Sequence, residues 1–465
     1  MSKAKRFIKT ATVFLVGNVL SKLVGFFLLP LYTNKIDPEA YGEYDLVITI
    51  LIFVSAIAFF QVWDGMFRLS FDYEDDKGKY RIITNAAVIY LIGIVIYSLI
   101  FALTYVYLKF RFWEYAFLYG VLYAIQYFYS YAARVFLDNK LFAISGVVNT
   151  LTVAVTNIVL IVTLHKGVES LYIAQIAGCV AQSILIEIKL HVIQKTALRY
   201  IRMDLIRAML KFSIPLCAAS ASYWLLTGYT KLVINTVLGS YENGIYAIAT
   251  SLSNTSVILI NVVQFAWNEM AYLMTREKDR KATYIKCINL IFVSICYGCA
   301  MLCIVVKILF PILIGEKYAS AANVVPLLMI GVSANSMAQL LGTFFMTEKA
   351  TSYVLISTVT AAVVNVLLAK QLSIKFGIMG AVAALSIAFI MLMLVRLYQV
   401  WRKMNIRVCI SNKLSTVSVV VAYLVYLYID NTVINILIIA IVAVTYLMTV
   451  KRIFRIKLHD VYLRR

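Results

Sequence analysis

The chain has 465 residues, of which 63% are hydrophobic and 14% are charged, and 43 basic against 22 acidic residues give a net charge of +21. A soluble globular protein is nearer half apolar and about a quarter charged, so this composition excludes a water-soluble fold. In a soluble protein the basic excess would indicate a nucleic-acid partner. In a polytopic membrane protein it is expected on the cytoplasmic side instead. We therefore expect a polytopic membrane protein with no nucleic-acid partner.

Apolar runs long enough to cross a bilayer recur along the whole chain. A spanning helix needs about 20 mostly apolar residues. The first run follows a basic start but has no small-residue cleavage site after it, so we interpret it as an uncleaved span. The all-α fold predicted here has about fourteen transmembrane helices, near residues 8–33, 44–63, 82–107, 113–135, 143–164, 170–190, 210–236, 244–267, 284–306, 321–344, 352–370, 378–398, 415–429 and 433–450.

The distribution of Lys and Arg predicts the orientation of these spans. With the N-terminus inside, the inner segments contain 33 basic residues and the outer segments 9, and Lys22 lies within the first span. Cytoplasmic loops carry the excess of Lys and Arg in membrane proteins. The asymmetry predicts that both termini lie in the cytoplasm.

An internal repeat predicts how the spans are grouped. Residues 42–44, which open the second span, match residues 244–246, which open the eighth. Since each half has six spans, the repeat is parallel, with its axis along the membrane normal. The basic stretch 189–211 is then a linker along the inner surface. The predicted division is an N-terminal six-helix lobe (1–200), a C-terminal six-helix lobe (201–405), and an extra helix pair with a basic tail (406–465).

Three strings in the sequence resemble a known family. Residues 27–46 (FLLPLYTNKIDPEAYGEYDL) resemble the first helix and first loop of polysaccharide-biosynthesis, O-antigen-type oligosaccharide flippases. Residues 62–70 (VWDGMFRLS) are similar to the end of their second helix, and residues 309–328 to the start of their tenth. These proteins belong to the multidrug/oligosaccharidyl-lipid/polysaccharide exporter superfamily.

The resemblance implies two six-helix lobes with two added helices. It also implies movement of an undecaprenyl-pyrophosphate-linked oligosaccharide from the inner to the outer leaflet of the bacterial cytoplasmic membrane. The expected partners are this lipid-linked substrate, membrane lipids, and the polymerase and glycosyltransferases of the same pathway. We expect no enzymatic activity, because the three histidines all fall in or beside predicted loops. No cofactor is expected, and energy need not come from ATP because the sequence contains no Gly-x4-Gly-Lys-Ser/Thr loop.

Two lysines are candidates for binding the pyrophosphate. Lys22 lies mid-span with Asn18 four residues before it, and a charge inside a span by default marks a pathway. Its alternative interpretation is a side chain that snorkels to the outer interface. Lys231 lies toward the outer end of the seventh span, on a polar face that includes Trp224. An interfacial anchor explains Lys231 equally well.

The fourth span combines a cation with a tyrosine stripe. Arg134 ends this span, where a positive-inside residue is also expected. Tyrosine recurs every four residues before it, and its rings stack on sugars while its hydroxyls form hydrogen bonds. Packing and an interfacial belt are the alternative. The stripe comprises Tyr115, Tyr119, Tyr123, Tyr127 and Tyr131.

Carboxylates near two spans are candidates for gating or for coupling to H⁺ or Na⁺. Asp64 and Arg68 have i, i+4 spacing, which predicts an ion pair. This pair is interpreted either as a gate opened by substrate phosphates or as a local interfacial contact. In the eighth span, Asn261 and Gln264 share a polar face with Glu269 at its foot. That face lines the cavity or forms interhelical hydrogen bonds.

The predicted mechanism is alternating access through a cationic central cavity. Asp64 and Glu269 are the gate or coupling candidates, and no metal site is predicted. The substrate-binding candidates are Asn18, Lys22, Arg68, Tyr127, Tyr131, Arg134, Trp224, Lys231, Asn261 and Gln264.

Three other functions remain open. A cation-coupled drug or metabolite exporter of the same superfamily would use carboxylates to bind organic cations. A membrane-embedded polymerase or glycosyltransferase would carry a large outer loop or a soluble domain with a metal-binding Asp-x-Asp. A lipid scramblase would not need basic side chains across the membrane.

Overall fold

The structure is a computed structural model that describes residues 24–108, 111–257, 260, 267, 280–347, 350–404 and 413–455. Across these residues the regular structure is helical, with no strand. A helix satisfies its backbone hydrogen bonds within one segment, which is what a lipid environment demands of an exposed chain. The predicted all-α fold class is confirmed.

The first part of the described chain contains a series of helices joined by short turns. A π-helical turn, Val159–Thr163, extends the sixth helix, and a 3₁₀ turn, Leu198–Tyr200, precedes the ninth. The helices are α1 (24–35), α2 (Pro38–Ala58), α3 (Val62–Ser70), α4 (Asp76–Leu108), α5 (Trp113–Val135), α6 (Asn139–Ile158), α7 (Glu169–Leu190), α8 (Val192–Lys195) and α9 (Met203–Leu238).

The second part continues the same pattern. A 3₁₀ turn, Glu316–Tyr318, lies between two of its helices. Over the described segments, nine helices of the chain are long and apolar enough to cross a membrane. The helices of this part are α10 (Ser240–Ser253), α11 (Arg280–Leu313), α12 (Ala321–Thr347), α13 (Thr351–Met404), α14 (Lys413–Tyr428) and α15 (Thr432–Arg455).

Helix α13 is a hairpin of two spans. Gly377 has φ +61° and breaks the helical geometry, a conformation that glycine adopts without steric cost. Gly380 then approaches the carbonyl of Leu372 so closely that a Cβ at this position would overlap it. The chain therefore reverses between residues 372 and 380, at the gap predicted between spans 352–370 and 378–398.

The second predicted span, 44–63, is interrupted. Helix α2 ends at Ala58, and Phe60 (φ +53°) and Gln61 (φ +46°) both take left-handed conformations before α3 begins. Each such residue costs about 1–2 kcal/mol when it is not glycine. The side-chain amide of Gln61 donates to Ser220 Oγ at 2.5 Å, and this contact with α9 stabilises the break.

The chain forms two compact units, Met1–Trp224 and Leu225–Arg465, here called the N-terminal and C-terminal units. The boundary falls inside α9. The predicted division at residues 200 and 405 stays a prediction.

The first half of α9 packs closely against α2 and α3. A Cβ at Gly65 would lie 2.6 Å from Ser213 Oγ and 3.1 Å from the Met209 carbonyl oxygen, so glycine allows the two helices to approach. Further along, the Trp224 ring stacks on Phe53 with centroids 4.2 Å apart. These contacts explain why α9 as far as Trp224 belongs to the N-terminal unit.

A polar network joins α5, α6 and α7. The Gln126 amide donates to Gln182 Oε1 at 2.5 Å, and the Gln182 amide donates to Ser130 Oγ at 2.9 Å and Ser145 Oγ at 3.3 Å. Gln182 and Ser145 are buried. Hydrogen bonds between helices contribute about 0.6–2 kcal/mol each in membranes, so this network fixes how the three helices pack.

In the C-terminal unit, the hydrogen bonds of a buried arginine fix how the helices pack. Arg396 of α13 is 1% exposed and donates to the Ala338 carbonyl at 2.6 Å, to Ser357 Oγ at 3.0 Å and to Thr358 Oγ1 at 3.3 Å. A buried charge is tolerated only when its donors are satisfied. Arg396 thus binds α12 and both arms of the α13 hairpin together.

The last helix pair is attached to α11 through Lys307. Its ammonium group pairs with Asp430 at 2.9 Å and donates to the carbonyls of Val425 and Tyr426. A cation at these carbonyls offsets the partial negative charge at the C-terminus of α14. Asn431 then caps α15 by accepting from the amide of Val433 at 2.9 Å. Adjacent residues therefore end one helix and begin the next.

Candidate functional site

The N-terminal unit brings three of the predicted site residues together, where α3 meets the end of α5. The Tyr131 hydroxyl donates to Asp64 Oδ1 at 3.0 Å. Arg134 lies near enough to attract the same carboxylate. Asp64, Tyr131 and Arg134 are all half-buried. We call these three residues the Asp–Tyr–Arg cluster.

Aromatic rings hold the guanidinium of Arg134 in place. Its Cζ lies 4.1 Å from the Phe67 ring centroid, 4.8 Å from that of Tyr131 and 5.7 Å from that of Phe142. Cation–π contacts contribute about 0.5–2 kcal/mol each, depending on how far they are desolvated. These rings come from α3, α5 and α6, so the position of the guanidinium is fixed by the packing of three helices.

The donors of the same guanidinium are unused within the described segments. No described group accepts a hydrogen bond from the Arg134 side chain, which instead contacts aromatic rings. A guanidinium carries five N–H donors in a planar fork that matches phosphate oxygens. The cluster therefore presents a positioned cation with unused donors, which is suited to binding an anion.

The tyrosine stripe forms a continuous ladder of rings toward the cluster. Centroids are 5.8 Å apart for Tyr119 and Tyr123, 4.8 Å for Tyr123 and Tyr127, and 6.3 Å for Tyr127 and Tyr131. Tyr119 is only 5% exposed, whereas the other three are half-buried. A spacing of four residues drifts about 40° per step around a helix. Tyr119 consequently packs in the core, and the ladder from Tyr123 to Tyr131 stays partly accessible.

The predicted ion pair between Asp64 and Arg68 is wrong. Arg68 pairs with Asp72 at 3.4 Å, and both side chains are more than half exposed. Asp64 instead accepts from Tyr131, as described above. The sequence offers Arg68 a carboxylate at both i−4 and i+4, and the face of α3 that carries Asp64 is directed at α5. A gate that depends on an Asp64–Arg68 pair is therefore not supported.

Two further predicted residues lie on α9. The Trp224 indole donates to the Thr49 carbonyl at 3.3 Å, in addition to its stacking on Phe53. Trp224 is thus part of the packing of the N-terminal unit. Lys231 is half-buried and belongs to the C-terminal unit. Its role in binding substrate stays a prediction.

The remaining predicted site residues lie outside the described residues. Their roles stay predictions. They are Asn18, Lys22, Asn261, Gln264 and Glu269.

Sequence reasoning missed two aromatic residues of the site. Trp63 is buried, with its ring centroid 5.2 Å from that of Tyr127, and Phe67 contacts Arg134 directly. Both lie in the string 62–70 that carries the family resemblance. Trp63 and Phe67 have the same i, i+4 spacing as the tyrosine stripe, and this spacing was the available signal.

Solved structures of membrane transport proteins have the same fold. The lipid II flippase MurJ in an inward closed conformation aligns with a TM-score of 0.69 at 13% identity, over 95% of this chain and 99% of its own. An inward-facing MATE-family multidrug resistance transporter aligns with a TM-score of 0.65 at 16% identity, over 83% and 98%. A MOP superfamily transporter from Pyrococcus furiosus, with a binding pocket of reversed polarity, aligns with a TM-score of 0.60 at 16% identity, over 86% and 95%.

At such low sequence identity, these structural alignments establish a shared fold and nothing more. No curated protein matches the sequence. Residues 7–267, more than half of the chain, match the family described as polysaccharide biosynthesis protein. The family resemblance carried by the sequence motifs is thereby confirmed. This multi-pass membrane protein, with the fold of the MOP superfamily, belongs to the polysaccharide biosynthesis protein family.

Proposed function

We propose that the protein is a flippase that moves an undecaprenyl-pyrophosphate-linked oligosaccharide from the inner to the outer leaflet of the bacterial cytoplasmic membrane. One observation carries the proposal: the Arg134 guanidinium is held between aromatic rings, and no described residue accepts a hydrogen bond from it. Family membership and the fold shared with a lipid II flippase support a lipid-linked substrate.

The pyrophosphate binds to Arg134 beside Asp64. Bonds between a guanidinium and a phosphate are charge-assisted and two-pronged, and the carboxylate that attracts Arg134 is itself bonded to Tyr131. The negative charge of the bound pyrophosphate then favours uptake of a proton or a cation by Asp64. This coupling links substrate binding to the gate or coupling role proposed for Asp64, with Glu269 as the second candidate carboxylate.

The sugars lie along the accessible end of the tyrosine ladder. Tyr127 and Tyr131 present ring faces for stacking and hydroxyls for hydrogen bonds. Transport proceeds by alternating access through a cationic cavity, while the lipid tail stays in the bilayer. The other candidates for binding the substrate are Asn18, Lys22, Arg68, Lys231, Asn261 and Gln264.

The membrane potential favours this movement without ATP. Moving charge across the membrane is worth about 2.3 kcal/mol per charge per 100 mV. With a negative interior, two phosphate charges moving outward gain roughly 4–5 kcal/mol. The polymerase and glycosyltransferases of the same pathway act on either side of this step.

Deletion of the gene tests the proposal. Undecaprenyl-linked intermediates are extracted and identified by mass spectrometry, and their sidedness is measured in spheroplasts. We expect complete lipid-linked oligosaccharide to accumulate on the inner face, and complementation with wild-type protein to release it. Normal amounts of these intermediates on the outer face of the deletion strain would refute the flippase.

An exporter of organic cations is less well supported by this site. Such a ligand would seek the Asp64 carboxylate and the neighbouring ring faces. Arg134 already lies over the Tyr131 and Phe67 rings and would repel it. We expect the deletion strain to keep its resistance to cationic drugs, and a loss of resistance with normal glycan intermediates would favour the exporter instead.

A further inference from the structure

A segment of twelve residues, 191–202, connects α7 to α9, and we call it the strap. It contains α8 and the 3₁₀ turn Leu198–Tyr200. Apolar side chains on and beside it point outward: Ile193 is 69% exposed, Leu198 85% and Met203 67%. Exposed apolar side chains clustered in this way indicate an interaction surface.

The strap is bound to the start of α4. The buried Asn85 amide donates to the Tyr200 carbonyl at 2.9 Å, and its Oδ1 accepts from the Arg202 amide at 2.7 Å. At the other end, the Tyr80 hydroxyl donates to the Leu190 carbonyl at 2.8 Å. The outward direction of the apolar side chains is therefore set by a fixed backbone.

These bonds also place the strap at the depth of the membrane boundary. Tyr80 and Asn85 are four and nine residues beyond Asp76, where α4 begins. At 1.5 Å per residue they lie roughly 6 and 14 Å along that helix, and Asn85 is inside the apolar run. The segment thus lies beside the first turns of a spanning helix rather than beyond its end.

Basic side chains border the apolar ones. Residues 190–211 contain five Lys and Arg against one acidic residue, and Asp204 is already paired with Arg202 at 2.6 Å. Lys195 and Arg199 are exposed, as are Arg207 and Lys211 on the following turns of α9. Long basic side chains keep their charged ends in water while their stems lie on apolar surface. A surface that is apolar in its centre, basic at its rim and set at the membrane boundary matches an anionic lipid leaflet.

We propose that the strap, together with Met203 at the start of α9, is a fixed interfacial anchor. It inserts Ile193, Leu198 and Met203 among the acyl chains and binds anionic phospholipid headgroups through Lys195 and Arg199. The partner is the lipid surface itself, independently of which substrate is transported. The sequence predicted only that this region lies along the inner surface. The structure adds which apolar residues are exposed, which basic residues border them, and the hydrogen bonds of Asn85 that fix the backbone of the strap.

The insertion is tested by measuring depth. A nitroxide is attached at Leu198→Cys in full-length protein whose native cysteines are replaced by alanine, in vesicles of phosphatidylethanolamine and phosphatidylglycerol. We expect the nitroxide at position 198 to collide frequently with oxygen, which concentrates in the bilayer, and rarely with a water-soluble nickel chelate. Lys77→Cys, at an exposed position in the first turn of α4, provides the aqueous reference. If the label at position 198 reports the same accessibility as the one at position 77, the insertion is refuted.

Headgroup binding is tested in the chain with its native cysteines. Phosphatidylglycerol retained by the purified protein is counted by native mass spectrometry for Lys195→Gln/Arg199→Gln and for the control Lys77→Gln/Lys140→Gln, which removes the same charge at exposed positions. We expect retention by the strap variant to fall roughly 10- to 30-fold, and retention by the control to be unchanged. Equal retention by both variants, or an equal loss, would overturn the assignment.

Discussion

Arg134 in the N-terminal unit and Arg396 in the C-terminal unit each lie toward the end of a predicted span, yet their surroundings differ. Arg396 is 1% exposed, and hydroxyl and carbonyl oxygens accept hydrogen bonds from it. Arg134 is half-buried and lies on aromatic rings, with no acceptor at bonding distance among the described residues. An arginine whose donors are used by fixed groups contributes to folding. An arginine that is positioned but unbonded is available to a ligand.

Arg396→Ala is expected to have the largest effect on stability. It removes at least three hydrogen bonds and leaves a cavity between α12 and α13, at a cost of about 3–5 kcal/mol. This loss of stability is measured by heating the protein in detergent and following the remaining folded protein by fluorescence-detected size-exclusion chromatography. Arg402→Ala, at an exposed position of the same helix, should behave as wild type. Wild-type stability in Arg396→Ala would break the contrast between the two arginines.

Arg134→Gln is expected to lower glycan export strongly while the protein still folds. Hydrogen bonds to a charged group are worth about 1.5–3 kcal/mol, which corresponds to roughly a 10- to 100-fold loss of glycan export. A lysine at this position keeps the positive charge but not the planar set of N–H donors, so Arg134→Lys should give an intermediate rate of glycan export. Lys140→Gln, an exposed neighbour, is the control for lost charge. Wild-type export by Arg134→Gln would remove this residue from the site.

Gly65→Ala tests the assignment of the first half of α9 to the N-terminal unit. The added methyl group meets the Met209 carbonyl oxygen at 3.1 Å, and backbone moves less easily than a side chain. We expect a loss of about 1–3 kcal/mol in stability, measured by the same heating assay. At Gly146 of α6 a Cβ has no atom within 4 Å, so Gly146→Ala should not destabilise the protein. Equal stability of the two variants would contradict this close packing.

Asp72→Asn is expected to have the smallest effect. Exposed ion pairs contribute about 0–1 kcal/mol, and both partners of the Arg68–Asp72 pair are more than half exposed. Stability should be unchanged, and export should change by less than about threefold. A severe loss of export would mean that Arg68 acts in gating through Asp72.

Helix positions were largely predictable because apolar length and Gly or polar interruptions are local properties. The span predicted at 113–135 coincides with α5, and the gap predicted between spans 415–429 and 433–450 separates α14 from α15. The break at residues 59–61 was not predicted. Phe60 and Gln61 carry no local signal for left-handed geometry, and a contact with Ser220, distant in sequence, supports them.

The candidate site was predictable as a set of residues but not as a set of contacts. Spacing placed Asp64, Tyr131 and Arg134 among the candidates, because charged and aromatic residues at the ends of spans stand out. Spacing also predicted a pair between Asp64 and Arg68. In the structure, packing gives Asp64 the partner Tyr131, and Arg68 pairs with Asp72. Arg396 was counted only as an inner basic residue, because burial depends on the packing of α12 against α13.

Binding of undecaprenyl pyrophosphate to the purified protein tests the central claim most directly. The dissociation constant is measured by native mass spectrometry for the wild type, Arg134→Gln and Lys140→Gln. If the Arg134 guanidinium receives the pyrophosphate, the Arg134→Gln constant rises roughly 10- to 100-fold and the Lys140→Gln constant stays at the wild-type value. Wild-type affinity in Arg134→Gln would contradict the claim that this cluster is where the substrate binds.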